Sequence, residues 1–411
     1  MKGRSFDYDV AIIGGGPAGA STALHLVRAE GIAPNRIVVL DKARFPRDKP
    51  CAGAISPLGI GTLEAMGIAV DVPRVTLAGA RVIAESGAGE TLAPMGIVVC
   101  RREFDAWLLE TARHDGVVVR DGDGVTGIAR IADGYRLMTA SGAVQSRFVA
   151  ICDGSGSTSR KLLGLRESAR KGHLYVLESP EVPSDIAAGR KLAEFDLRVV
   201  GDGIQGYYWD FPTAQGGMVP LVSRGIYHAN LSSNRAVKAS LARALDQRGI
   251  DIAHVKLKAF STRPFVRSSV LAIDGAILVG EAAGINRATG EGIAPAIVMA
   301  KIAARHIARA VRTGSSARFE VYSRDVLSSC IGRHMLQSAA LTRFVYGAIG
   351  TVGVVARRYL VRSPYGRAAA LKWYCGEPLS LFTQIRLGAG LMAATHIRRG
   401  VWPYAPTRTA R

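Results

Sequence analysis

The sequence predicts an α/β protein in which a parallel sheet is interrupted by a mainly antiparallel unit and followed by a helical C-terminal region. Three observations carry this. An apolar, β-branched-rich run over residues 10–13 leads straight into Gly14, Gly16 and Gly19, in G-x-G-x-x-G spacing, and then into a helix-forming stretch. From about residue 166 to 261 the pattern changes to short strand runs separated by turns. The parallel pattern returns over residues 275–280, some 260 residues after it began.

The run at 10–13 is what a buried parallel strand requires. Gly14 allows the tight turn, Gly16 lets the backbone approach a pyrophosphate, and Gly19 lets the helix pack close to the strand. The helix predicted over 17–29, with Ala18 in its first turn, aims its free N–H groups and positive dipole end at that phosphate. A second strand over 36–40 ends at Asp41, followed by Lys42. Asp41 lies 22 residues past Gly19, the offset of a ribose-binding carboxylate. Together these features read as dinucleotide binding. The alternative is a glycine turn in some other α/β protein.

Composition narrows the class. The 411 residues include 47 glycines and are 48% hydrophobic, enough for two or three lobes with a real core. The net charge is +20, and residues 317–411 alone carry 14 Lys or Arg against 3 Asp or Glu. Such a bias points to a polyanionic neighbour: nucleic acid, anionic lipid or an acidic protein. The five cysteines are odd in number and form no C-x-x-C, which argues against a disulfide framework or a zinc site and for a reducing compartment. The first strand begins near the start of the chain, so no signal peptide is expected. The longest informative uncharged apolar run, residues 344–356, has the length of a core helix or an interfacial segment and not of a span.

Between these landmarks, residues 42–57 read as an ordered loop punctuated by prolines. A helix follows over 58–66, and strands separated by glycines over 75–99. The stretch from Arg101 puts Phe104, Trp107, Leu108 and Ala112 on one helical face. A strand at 116–120 and a small antiparallel unit over 135–152 lead to Cys152-Asp153-Gly154. The antiparallel unit has strand runs over 191–200, 206–212 and 217–222, with one helix over 236–248. A helix over 292–313 follows the last parallel strand.

At this point the residues resemble the geranylgeranyl reductase family of FAD-dependent oxidoreductases, within the p-hydroxybenzoate-hydroxylase-like flavoproteins. The resemblance runs over about residues 6–315. Gly14, Gly16, Gly19 and Asp41 match its ADP-binding signature. Lys49-Pro-Cys51-Ala-Gly53 resembles its K-x-C-G-G loop, with Ala52 in place of a glycine. Asp153 and Gly154 match a D-G segment near the FAD pyrophosphate. Residues 280–284, with Gly290, Gly292 and Ile293 after them, are similar to the second FAD signature. Glu281 stands there where aspartate is usual. The resemblance implies a Rossmann-type FAD-binding domain (1–70, 97–165 and 262–315) interrupted by a mainly antiparallel substrate domain (71–96 and 166–261), with a C-terminal helical region (316–411).

Individual residues carry direct readings beside it. Arg101, at the start of a helix, suits a diphosphate or ribityl oxygen, or is an ordinary surface arginine. Glu281 keeps a carboxylate for the ribityl chain but moves its oxygens by about a bond length, so the contact can pass to a backbone N–H or water. Gly290 and Gly292 precede a helix whose N-terminus, in the family, faces the flavin pyrimidine edge and stabilises its reduced, negative form. Tyr207, Trp209 and Phe211 alternate on one strand and share a face. They resemble the family's Y-x-W-x-F-P motif and form either an apolar substrate wall or a plain core strand. Cys51 stands near the flavin by analogy, in electropositive surroundings made by Lys49 and Arg47. It assists proton delivery, shapes the pocket, or is a small buried hydrophobe.

The expected function is an FAD-dependent reductase that saturates C=C bonds of a prenyl (geranylgeranyl) chain on a lipid, quinone, pigment or diphosphate. Cys51 is the catalytic candidate, and Tyr207, Trp209 and Phe211 are the substrate wall. The electron donor is NADPH, a ferredoxin or a flavin reductase. The basic C-terminal region either rests on anionic membrane or forms a helical cap with its arginines in water. The expected location is cytoplasmic, on the cytoplasmic membrane face. The alternative is an FAD monooxygenase or halogenase acting on a polyketide or aromatic, since related halogenases carry a W-x-W-x-[IV]-P segment and similar loops. A nucleic-acid-binding protein is the third class; the charge permits it, but no helix-turn-helix, zinc finger or RNP-like run supports it, so no nucleic-acid partner is expected. No metal is expected either, since the eight histidines show no ligand spacing.

Overall fold

The computed structural model describes residues 6–165, 171–188, 191–214, 220–229, 237–285, 289–315, 319–346 and 351–396. The opening strand, Tyr8–Ile13, lies inside a sheet because its last four residues are buried on both faces. It pairs in parallel with Ile37–Asp41 on one side and with Gly142–Ile151 on the other. Val118–Asp121 extends the sheet beyond Ile37–Asp41, and Ala276–Leu278 extends it beyond Gly142–Ile151, both in parallel. Four chain segments far apart in sequence therefore end on the same sheet edge, at Ile13, Asp41, Ile151 and Leu278. Ligands of open α/β sheets bind in the crevice outside such carboxyl ends. The small antiparallel unit is present as Val125–Ile131, Gly134–Thr139 and Gly142–Ile151.

The first helix runs over Pro17–Leu24 and continues as a π-turn over His25–Ala29. It packs against Ile293–Thr313, whose buried alanines 300, 303, 304 and 308 let the two backbones approach. The Arg101–His114 helix covers the first helix from another side, with Phe104, Leu108 and Ala112 buried as its pattern predicts. Emptying one such buried site, for example by Ile12→Ala, costs about 2–5 kcal/mol.

The second sheet runs in the order Lys258–Thr262, Gly172–Pro180, Leu221–His228, Gly206–Thr213, Leu192–Asp196, Gly79–Ala84, Gly87–Leu92. Its pairings are antiparallel except for Leu192–Asp196 beside Gly79–Ala84. The strand expected over 191–200 stops at Asp196, and Arg198–Asp202 forms a 3-10 turn. The Asp196 carboxylate causes the break: it accepts from the Arg198 backbone N–H (3.0 Å) and from its guanidinium. The run expected over 217–222 opens outside the described residues, and the strand there is Leu221–His228.

The C-terminal region is helical: Glu320–Ser328, Cys330–Tyr346, Thr351–Arg362, Pro364–Tyr374 and Leu381–His396. Thr351–Arg362 lies on the Gly79–Ala84 and Gly87–Leu92 strands. Buried Arg357 pins it there through Glu85 (2.6 Å), and Arg367 donates to the Glu90 carbonyl at 3.0 Å. The apolar run 344–356 falls across two helices, and Tyr346, Val355 and Ala356 are buried, so this part of it is core. Among the described residues no helix is long and apolar enough to cross a membrane.

Candidate functional site

The site is built at the shared sheet edge. The Cys152 N–H donates to the Ile13 carbonyl (2.7 Å), the Gly14 N–H to Leu40 (2.8 Å) and the Val279 N–H to Ile151 (2.9 Å). Gly14 has φ +106°, and a Cβ there would lie 2.5 Å from the Cys152 carbonyl oxygen. A Cβ at Gly19 would overlap the Gly14 carbonyl. Gly16 caps the Pro17–Leu24 helix with extended backbone, and the Arg47 guanidinium lies near it. Ala18 is buried against Gly280 of the second signature, where a Cβ would sit 2.8 Å from its own. Asp41 turns its carboxylate into the glycine turn: Oδ2 accepts from the Gly15 N–H (2.6 Å) and Oδ1 from the Ala43 N–H (2.8 Å). Lys42 is exposed at the rim beside Gly124.

The segment after residue 151 joins this turn. Asp153 Oδ2 accepts from the Ser159 N–H at 2.9 Å, while Oδ1 is buried without a hydrogen-bond partner. Gly154 has φ +80° and open space where a Cβ would stand. Two buried arginines fasten this segment, the first of them to the second signature. Arg160 donates to the Ala282 carbonyl (3.1 Å), and Arg263 donates to the Ser155 carbonyl (3.0 Å). A glycine turn at a helix N-terminus, a carboxylate beside it and a buried orphan oxygen form a cradle for a nucleotide diphosphate with hydroxyl-bearing arms.

The second signature is a short 3-10 turn, Gly280–Ala283, closed by Gly284 in the left-handed region. Residues 286–288 lie outside the described residues. Gly290 has φ +77°, and Gly292 caps the 21-residue Ile293–Thr313 helix, with Ile293 buried in its first turn. The Glu281 carboxylate lies close to Gly292. Buried Glu291 reaches across the site and accepts from the Ser56 N–H at 3.3 Å, tying this helix to the cysteine loop.

Cys51 is half-buried, and its Sγ accepts from the Gly53 N–H at 3.4 Å. Arg101 is buried and forms two 2.7 Å bonds to Asp105, with Arg47 on the same carboxylate at 3.0 Å. Burial opposes its charge, but Asp105 and the neighbouring Cys51 thiol hold it above the ordinary guanidinium range. The guanidinium expected on a diphosphate or ribityl oxygen is thus clamped to its own helix, next to the thiol. Lys49 lies over the Phe260 ring, its Nζ 3.5 Å from the centroid. Burial pulls its pKa down to about 8, Glu281 resists, and Arg101 adds to the fall. A cavity of about 130 Å³ opens here, lined by Lys49, Cys51, Arg101, Glu178 and Lys258 among others.

Tyr207, Trp209 and Phe211 are buried on one face of Gly206–Thr213. The Tyr207 hydroxyl donates to the Thr289 carbonyl. Phe195 packs edge-on against both Tyr207 and Phe211 (5.2 Å each), and Tyr374 from the C-terminal helices packs against Phe195 at 4.7 Å. Tyr346, Val361, Leu371 and Cys375 belong to the same apolar cluster. The C-terminal helices therefore cap the aromatic face. The strand's opposite face carries a buried ion network, in which Asp210 pairs with Arg224 (2.7 Å) and Arg248 (2.5 Å).

Lys49, Glu291, Arg160 and Arg263 were not singled out from the sequence as site residues. Lys49 had a signal, its place two residues before Cys51, and Glu291 stood inside the second signature. The two arginines had none: each acts across more than 100 residues of chain.

The model of an FAD binding domain matches residues 7–330. The chain belongs to the FAD-binding domain family. This FAD-dependent oxidoreductase is 26% identical to a menaquinone reductase of Mycolicibacterium smegmatis, over 72% of this chain and 75% of that one. It is 25% identical to digeranylgeranylglycerophospholipid reductase 1 of Methanothermobacter thermautotrophicus, over 75% and 79%. Among solved structures, a geranylgeranyl bacteriochlorophyll reductase-like protein of Thermoplasma acidophilum superposes with a TM-score of 0.72 at 21% identity, covering 93% of this chain and 96% of its own. The flavin-dependent brominase Bmp2 shares the fold at a TM-score of 0.68 and 17% identity, over 95% and 99%. FAD is the cofactor of this family, and the cradle at the sheet edge fits it.

Proposed function

We propose that this FAD-dependent oxidoreductase saturates C=C bonds of a prenyl (geranylgeranyl) chain carried on a lipid, quinone, pigment or diphosphate. The observation that carries the reading is the hydrogen bond from Tyr207 to Thr289, which sets an aromatic wall against the second FAD signature. Reductases of prenylated lipid and of menaquinone among the relatives support it. In this reading Gly14, Gly16, Ala18, Gly19, Asp41 and Lys42 hold the ADP end. Asp153 and Gly154 meet the pyrophosphate region, and Glu281, Gly290, Gly292 and Ile293 hold the flavin end. Arg101 acts by fixing Asp105 and Cys51 in place. In this reading residues 71–96 and 166–261 form the substrate unit.

Bound reduced FAD supplies the hydride. An isolated alkene is a poor hydride acceptor, so the chain's own task is placement and exclusion of water. Tyr207, Trp209 and Phe211 hold the prenyl chain by apolar contact, and the C-terminal cap keeps that face dry. Cys51 delivers or relays the proton to the second alkene carbon, beside Lys49. NADPH, a ferredoxin or a flavin reductase supplies the electrons, and the basic C-terminal region rests on the cytoplasmic face of the membrane.

Oxygen separates this from the second reading, an FAD monooxygenase or halogenase, which the shared fold of the brominase keeps in view. Protein reduced anaerobically and mixed with geranylgeranylated lipid is expected to give saturated product without O₂. Product that forms only when O₂ is admitted, and carries oxygen or halogen, overturns the proposal.

A further inference from the structure

We propose that the exposed face of the Leu381–His396 helix is the surface by which this protein lies on an anionic lipid bilayer. Leu381, Phe382, Ile385 and Met392 are 72, 69, 62 and 62% exposed. At 100° per residue these four positions, with exposed Ala389, fall within an arc of about 100°. They form one stripe and not scattered exceptions. Away from the stripe the helix meets its neighbours: the Tyr359 hydroxyl fills the space where Gly390 would carry a Cβ, and exposed Arg386, at the stripe's flank, lies over the Tyr365 ring at 4.0 Å.

Charge identifies the occupant. Arg386 is the helix's one residue among Asp, Glu, Lys and Arg. Arg358, Arg362 and Lys372 are exposed on the two preceding helices, and residues 397–411 contain four arginines and no acid. A broad apolar stripe with basic surroundings is the pattern of a helix lying in the interface plane of a bilayer, its apolar face in the acyl boundary and its cations on anionic headgroups. A second copy of this chain would bring the same basic surface against itself and be repelled. The helix that carries the stripe packs against Thr351–Arg362, one of the helices that cap the aromatic wall, so contact with the bilayer brings that cap near where prenyl lipids dissolve. The inference rests on the prenyl-lipid reading only in that last step.

The full-length, flavin-loaded protein would be sedimented with vesicles of phosphatidylcholine alone and with vesicles containing phosphatidylglycerol, neither carrying any prenyl substrate. Binding is expected to the anionic vesicles and to weaken as salt is raised. The double variant Phe382→Ser/Ile385→Ser is expected to keep its flavin absorbance and melting temperature and to lose about tenfold or more of that binding. Met392→Gln is expected to lose a smaller share. Absence of wild-type sedimentation, equal binding by the double variant, or a concentration-dependent dimer that the double variant abolishes would each overturn the proposal. Because the vesicles hold no substrate, such a failure leaves the reductase reading standing, and failed reduction leaves this result standing.

Discussion

The hydroxyl of Tyr207 donates to the backbone carbonyl of Thr289, 82 residues further along the chain and on the other sheet's side of the molecule. This bond couples the aromatic wall to the loop that opens the long helix, and it makes the wall's position a property of the cofactor site.

Removing the hydroxyl with Tyr207→Phe leaves a buried carbonyl unpaired, which costs about 1–2 kcal/mol. The expected result is a modest loss in calorimetric stability and about a tenfold drop in turnover, with flavin absorbance retained. Full turnover in this variant would show that the bond is structural only.

Gly290 is held at φ +77°, and a Cβ on it would lie 2.8 Å from the Tyr207 hydroxyl. Gly290→Ala therefore meets both backbone strain and a clash, whereas Gly154→Ala, at φ +80° with open space, meets strain alone, about 1–2 kcal/mol. Gly290→Ala is expected to lose more stability than Gly154→Ala in denaturant titrations. Combining it with Tyr207→Phe should be less damaging than the sum, because the clashing oxygen is gone.

Asp153 has one oxygen satisfied and one buried without a partner. Asp153→Asn keeps an acceptor for the Ser159 N–H, so flavin-free stability should change by less than about 1 kcal/mol. Flavin affinity, read by fluorescence titration, should fall about tenfold. A large loss in the flavin-free protein, with affinity unchanged, would assign Asp153 to folding and not to the cofactor.

His25 is buried beneath the first helix's last turn, and burial, with Lys301 and Arg305 nearby, lowers its pKa from 6.5 to about 4. Between those values the unfolded chain binds the proton and the folded one does not. Stability is therefore full above pH 6.5 and is lost as pH falls toward 4, by about 3 kcal/mol. Denaturant unfolding of His25→Leu across this range should show a correspondingly shallower acid slope.

What could be read in advance was local. The glycine turn, Asp41, the D-G segment and the alternating aromatics announce themselves because each needs only neighbours in sequence. The strand ends at Asp196 because its side chain captures the backbone N–H of Arg198, which no hydrophobic period reveals. Arg101 read as a free guanidinium, since its helical position says nothing of Asp105 one turn on competing for it. Lys49 over Phe260 and Glu291 on Ser56 arise from long-range packing alone. The C-terminal helices posed a choice between cap and membrane surface. Their inner faces are the cap, and the last helix also carries an exposed apolar face.

Mass spectrometry of extracted lipids and quinones reads the proposed reduction of prenyl double bonds in the product itself. With the gene expressed in a host that makes geranylgeranylated lipids, products heavier by two hydrogens for each saturated bond are expected, absent from the same host without the gene. Products that instead gain oxygen or halogen, or lipids unchanged in a flavin-loaded strain supplied with a reductant, would contradict it.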